Sequence, residues 1–149
     1  KLTVAVAESL TGGLVTDRLT DIPGSSVYLE RAVVTYSNAS KTALLGVPEE
    51  ILARHGAVSE ETAVLMAQGV RRLAGTDLGL ATTGIAGPAG GSEEKPVGTV
   101  YVALADGADA FCRRYDALRW DRRRIKLLSS QAALLMLLRY LRGDLSHDA

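Results

Sequence analysis

The sequence predicts an α/β protein with a mixed sheet of about five strands and helices on both faces. Three observations carry this. Through the first half of the chain, short apolar runs alternate with amphipathic ones, the pattern of parallel strands wound by right-handed crossovers. The last two apolar runs are separated only by a turn around Asp106–Gly107, which forces an antiparallel pair. The chain has 149 residues, 47% hydrophobic and 23% charged, which suits one domain over 1–149 with a real core, and hardly two.

The first strand is expected over 2–7, and a helix over 11–21 follows it through a cluster of hydroxyls and glycines. A second strand over 31–36 leads to a helix over 38–45 and a turn or helix at 48–54. The helix over 59–74 is the best marked. Ser59 can cap it, and Glu60 and Glu61 suit its positive end. Ala63, Met66, Ala67, Val70 and Leu73 form one face, and Gly75 ends it. Strands over 78–84, 98–105 and 110–117 are rich in Val, Ala, Leu, Thr or Tyr. The final helix, 121–142, contains QAALLMLLRYL, which is apolar on more than one face. That excess suits core packing or a subunit contact, and a homodimer or higher homo-oligomer is expected.

Charge excludes some functions. Lysines plus arginines and acids balance at 17 each, which argues against a nucleic-acid binder working by charge alone, although the chain turns basic after Ala110. No apolar run reaches the length of a membrane span, so no membrane partner is expected. The single cysteine, Cys112, allows no intrachain disulfide and favours a reducing cytoplasm. No Cys/His cluster has metal spacing, so neither a metal nor a cofactor is expected. His55 reads as a solvated or hydrogen-bonded loop histidine, and His147 as part of a frayed tail.

Four segments carry candidate chemistry. In AESLTGG, Glu8, Ser9, Thr11, Gly12 and Gly13 end a strand and open a helix, where free N–H groups attract anions. In VVTYSNASK, a strand ends in Thr35, Tyr36 and Ser37. If Asn38 caps the next helix, Lys41 lies in its first turn, where the dipole disfavours a lysine kept only for stability. In ATTGIAGPAGGSEEKPVGTVYVAL, Thr83, Gly84 and Gly87 lead into a long glycine-rich loop that fits neither a Walker A motif nor Gly-x-Gly-x-x-Gly. In RWDRRRIK, Arg122 could reach the crevice on which the three strand ends converge.

AESLTGG, VVTYSNASK with TALLGV, HGAVSEETA and TTGIAGPAGGSEEKPVGTVY, in this order, resemble the CinA C-terminal domain family, the nicotinamide-nucleotide amidohydrolases. The resemblance covers nearly the whole chain. It implies a three-layer α/β/α sandwich around a mixed, mostly parallel sheet. It also implies hydrolysis of nicotinamide mononucleotide to nicotinate mononucleotide and ammonia in pyridine-nucleotide recycling. The chain departs from the family pattern in two places: no helix precedes the first strand, and Lys126 stands where a second arginine is usual in the last helix.

Amide hydrolysis needs a nucleophile, a base and an oxyanion site. Ser9 is the expected nucleophile, Lys41 the base and Tyr36 a proton relay or hydrogen-bond partner. Glu8, Thr11, Gly12, Gly13, Ser37, Asn38, Thr83, Gly84, Gly87 and Arg122 are expected to hold substrate. Backbone N–H groups of Thr11–Gly13 or of Thr83–Gly87 could serve the oxyanion and the phosphate, and the sequence leaves open which does which. The alternative is a nucleotide-binding module without catalysis, in a protein associated with competence or DNA damage.

Overall fold

The computed structural model describes residues 1–116 and 120–145. It has five strands and five helices: β1 Val4–Glu8, α1 Leu14–Thr20, β2 Leu29–Val34, α2 Asn38–Leu45, α3 Glu49–His55, α4 Glu60–Ala74, β3 Leu78–Gly84, β4 Thr99–Ala105, β5 Ala110–Asp116 and α5 Arg122–Leu141. A single 3-10 turn, Ser25–Val27, precedes β2. The strands form one sheet in the order β2-β1-β3-β4-β5. β1 pairs parallel with β2 and β3, whereas β3–β4 and β4–β5 are antiparallel, so only β4 runs against the others.

Alternation along β1 divides the core. Val4 and Val6 face one side with Val15 of α1 and Ile125, Met136 and Leu137 of α5. Ala5 and Ala7 face the other side with Leu45 of α2, Leu52 of α3 and Met66, Ala67 and Val70 of α4. This is a three-layer α/β/α sandwich. The layers approach closely where side chains are small: a Cβ at Gly69 of α4 would collide with the Leu45 carbonyl of α2. Leu73, expected on the buried face of α4, is 38% exposed because it lies beyond the sheet-facing arc that ends at Val70.

Topology places the site. α1 carries the chain from β1 to β2 over one face, and α2–α4 carry it from β2 to β3 over the other. The crossovers diverge beside β1, and such a switch point opens a crevice beyond the carboxyl ends of the strands. β2 sits two residues earlier than expected. Leu29 pairs with Val4, and the chain leaves the sheet after Val34, with one more bond from Thr35 N to Glu8 O. α1 starts at Leu14 rather than at 11, because Thr11–Gly13 are consumed in turns. Position 117 of the last expected strand and His147 lie outside the described residues. No described helix is long and apolar enough to cross a membrane.

Candidate active site

The first residue past β1 is Ser9, and it meets α2. Ser37 caps that helix by accepting from Ser40 N, which places Lys41 one turn in, pointing back under the end of β2. Lys41 Nζ stands 3.2 Å from Ser9 Oγ. It also donates to Thr35 O at 2.7 Å and, more weakly, to Tyr36 O at 3.4 Å. The lysine is 1% exposed and the serine 7%. Burial lowers the Lys41 pKa from 10.5 to about 8. At pH 7 about a tenth of the chains then carry a free amine, against roughly one in three thousand for an unburied lysine.

This geometry suits a base. Two of the three outward directions of the nitrogen are held by carbonyls, and the third faces Ser9. A neutral amine so held turns its lone pair to the serine hydroxyl. The chain's thiol cannot compete as nucleophile: burial, with Glu60 and Glu61, pushes Cys112 up to about 12.

Around the pair lies a cavity of about 170 Å³, lined by Ser9, Leu10, Tyr36, Lys41, Ala57, Val58, Thr83, Gly84, Ala86 and Arg122. Thr83 Oγ1 donates to Ala57 O, tying β3 to the α3–α4 turn. Arg122 spans the mouth, donating to Gly87 O at 2.6 Å and to Tyr36 Oη at 3.2 Å. Thus Ser9, Tyr36, Lys41, Thr83, Gly84 and Arg122 come together, and Gly87 enters through its carbonyl. A wider groove of about 660 Å³ lies between the β1–α1 turn and α5, but it contains neither Ser9 nor Lys41. The Ser9–Lys41 pair lines the smaller space.

Several expected residues stand elsewhere. Glu8 is fully buried and faces inward. Its carboxylate accepts from Thr11 Oγ1, from the amides of Gly13, Val15 and Thr16, and from Thr16 Oγ1. With both oxygens committed to the start of α1, Glu8 cannot hold a ligand. The same carboxylate takes the Gly13 amide and Gly12 N donates to Ser9 O, so of the Thr11–Gly13 amides only that of Thr11 is left without an acceptor among the described residues. Thr11 is buried against Glu8 and Thr82, and it faces the wider groove together with Gly12 and Gly13. Ser37 is exposed and occupied as the α2 cap, so Asn38 is not the cap. Asn38 lines a separate hollow with Glu49. The Tyr36 hydroxyl bonds Arg122 rather than Ser9 or Lys41, and the residue is 64% exposed. Its carbonyl is what meets Lys41.

Sequence reasoning did not single out Ala57, Val58 or Ala86 as lining. Small apolar side chains carry no chemical signature, and only the packing of α3, α4 and the glycine-rich loop brings them here. Among the described residues, no group of three or more His, Cys, Asp or Glu could hold a metal ion.

The CinA C-terminal domain family model matches residues 1–141. A CinA-like protein of Syntrophus aciditrophicus is 72% identical over 142 residues, covering 95% of this chain and 34% of that protein. A CinA-like protein of Geobacter metallireducens is 54% identical over 146 residues, covering 98% and 34%. The chain therefore spans about a third of the length of these curated relatives. The crystal structure of the competence/damage inducible protein CihA from Agrobacterium tumefaciens is similar at a TM-score of 0.90 and 43% identity, over 92% of this chain and 84% of that one. The competence damage-inducible protein A of Klebsiella pneumoniae matches at 0.90 and 33%, over 95% and 87%. The chain belongs to the CinA C-terminal domain family.

Proposed function

We propose that the chain is an amidohydrolase that converts nicotinamide mononucleotide to nicotinate mononucleotide and ammonia in the cytoplasm, with Ser9 as nucleophile and Lys41 as base. The observation that carries this reading is the buried Lys41 Nζ at 3.2 Å from Ser9 Oγ, with its other directions held by Thr35 O and Tyr36 O. A solvated lysine has no need of such a seat, and a binding module has no need of a serine against a lowered-pKa amine.

The steps follow from the residue types. Lys41 takes the Ser9 hydroxyl proton as Oγ bonds the carboxamide carbon and the carbonyl π pair moves to oxygen. The Lys41 ammonium returns that proton to the nitrogen as the C–N bond breaks, and ammonia leaves. Water then gives a proton to Lys41 and attacks the acyl-serine. Collapse frees the carboxylic acid, which gives its remaining proton to solvent, and Ser9 regains its proton from Lys41. The Leu10 and Thr11 amides follow the nucleophile directly and donate to no acceptor among the described residues, which makes them the oxyanion donors of this reading. A cavity of about 150 Å³ admits benzene, so about 170 Å³ suits a pyridine ring.

Ammonia release from nicotinamide mononucleotide tests the reading. Wild type should turn over. Ser9→Ala should lose roughly three or more orders of magnitude in kcat while still binding the nucleotide. Nucleotide binding without ammonia release by wild type would favour the binding module. Wild-type kcat in Ser9→Ala would remove Ser9 as nucleophile.

A further inference from the structure

The cavity at Ser9 has room for one ring, so a sugar phosphate attached to that ring must continue outside it. The groove of about 660 Å³ begins on the other side of a shared wall. Ser9, Leu10 and Arg122 face the cavity, whereas Thr11, Gly12 and Arg123 face the groove. Because Gly12 N donates to Ser9 O, only one tight turn of backbone separates the two spaces.

We propose that this groove binds a phosphate monoester, held by Arg123 and Lys126 above the Gly12–Gly13 floor. The phosphate has two possible sources: the 5′-phosphate of a nucleotide whose base occupies the Ser9 cavity, or free phosphate. The first source rests on the amidohydrolase reading, and the second does not.

Electrostatics at the start of α5 support this. Arg122, Arg123, Arg124 and Lys126 crowd the first two turns, and no acid lies in the first turn, although the positive end of a helix repels cations. Two of the four are accounted for. Arg122 holds Gly87 O and Tyr36 Oη, and Arg124 lies over the Trp120 ring at 4.9 Å with Asp121 at 3.9 Å. Arg123 and Lys126 make no ion pair among the described residues, and both line the groove.

The floor is bare backbone. Gly12 and Gly13 have φ of +60° and +106°, a region L side chains rarely adopt, and Lys126 Nζ lies 3.7 Å from where a Gly12 Cβ would be. The ammonium thus stands over an uncovered turn, with space for an anion beside it. The start of α1 contributes nothing to anion binding, because the Gly13, Val15 and Thr16 amides already donate to Glu8. The cationic side chains must do the holding. Asp17 on the groove wall limits what fits: its carboxylate opposes a polyanion but accepts hydrogen bonds from hydroxyls of a sugar beside one phosphate.

Titration calorimetry on Ser9→Ala separates the sources without turnover. The probes are nicotinamide mononucleotide, nicotinamide riboside and inorganic phosphate. The mononucleotide should bind at least about tenfold more tightly than the riboside, and inorganic phosphate should compete with it. Adding Arg123→Gln and Lys126→Gln should abolish both the preference and the phosphate binding, with the thermal melt of the protein checked alongside. Equal affinity for mononucleotide and riboside, together with phosphate binding lost in the Gln variants, supports the groove and assigns it to free phosphate. Unchanged phosphate and mononucleotide affinities in the Gln variants overturn the proposal. If wild type releases no ammonia but binds phosphate through Arg123 and Lys126, the amidohydrolase reading fails and this one stands. If it releases ammonia and the Gln variants keep the preference, this one alone fails.

Discussion

Replacing Lys41 by methionine separates the cost of burying an amine from its chemical use. Burial lowers the folded pKa from 10.5 to about 8, a shift equivalent to about 3 kcal/mol. The sign follows from proton binding. Between pH 8 and 10.5 the unfolded chain holds more protons at this site than the folded chain, so stability rises with pH across that window. Below pH 8 the whole cost stands. At pH 7, Lys41→Met removes that cost but leaves the Thr35 and Tyr36 carbonyls without their donor, at about 1–3 kcal/mol. The two effects nearly cancel, so the variant should lie within about 2 kcal/mol of wild type at pH 7. At pH 10.5 only wild type has gained the roughly 3 kcal/mol of linkage. Urea unfolding of both proteins at pH 7, 9 and 10.5 measures this. The Tyr115 and Tyr140 hydroxyls, raised by burial and by the Asp106 hydrogen bond respectively, titrate in both proteins and drop out of the difference. Parallel pH dependence in the two proteins would refute the depressed amine, and with it the reason for choosing Lys41 as base.

Three further outcomes are expected. Lys41→Arg should lose at least about a hundredfold in kcat, because a guanidinium does not give up its proton, and a tenth of wild-type kcat or more would reduce Lys41 to a positioning charge. Glu8→Gln should destabilise by about 2–4 kcal/mol in urea unfolding, since an amide nitrogen would then confront donors such as the Thr16 N–H and hydroxyl; a loss under about 1 kcal/mol would show that the carboxylate does not hold α1. We propose self-association through α5, whose Leu128, Leu135 and Leu138 are 40–42% exposed on the side away from the core; Leu135→Glu with Leu138→Glu should convert a dimer to a monomer in solution scattering, and a monomeric wild type at micromolar concentration would refute it.

The alternation of apolar runs was enough to read the sheet and its layers. A strand buried on both faces is apolar over most of its length, and β1, β3 and β4 are, with polar residues confined to Glu8, Thr82, Thr83 and Thr99 near the site end of the sheet. Edge positions were harder. β2 is mostly exposed, so its burial does not mark its ends, and only pairing of Leu29 with Val4 sets its start. The surplus leucines of α5 were visible as a surplus, but which ones remain outside was not. Leu137 is buried and Leu134 half-buried against the core, whereas Leu127 and Leu128, about two turns before Leu134, are exposed.

The site divides along a different physical line. Ser9, Lys41 and Thr83 were legible because each breaks a local rule: a hydroxyl closing an apolar strand, or a cation in the first turn of a helix. Glu8 breaks a rule of the same kind, an acid closing an apolar strand, yet its purpose lies within the fold. What distinguishes it from Lys41 is the number of partners. The carboxylate meets five donors and is satisfied, whereas the amine meets two carbonyls and keeps its remaining direction for the serine. Satisfaction is a property of three-dimensional neighbours, and a residue pattern cannot report it. The same count sorts the arginines and the lysine of α5. Arg122 and Arg124 have protein partners, and Arg123 and Lys126 have none among the described residues, so the groove beside Gly12 is where an external anion would complete the set.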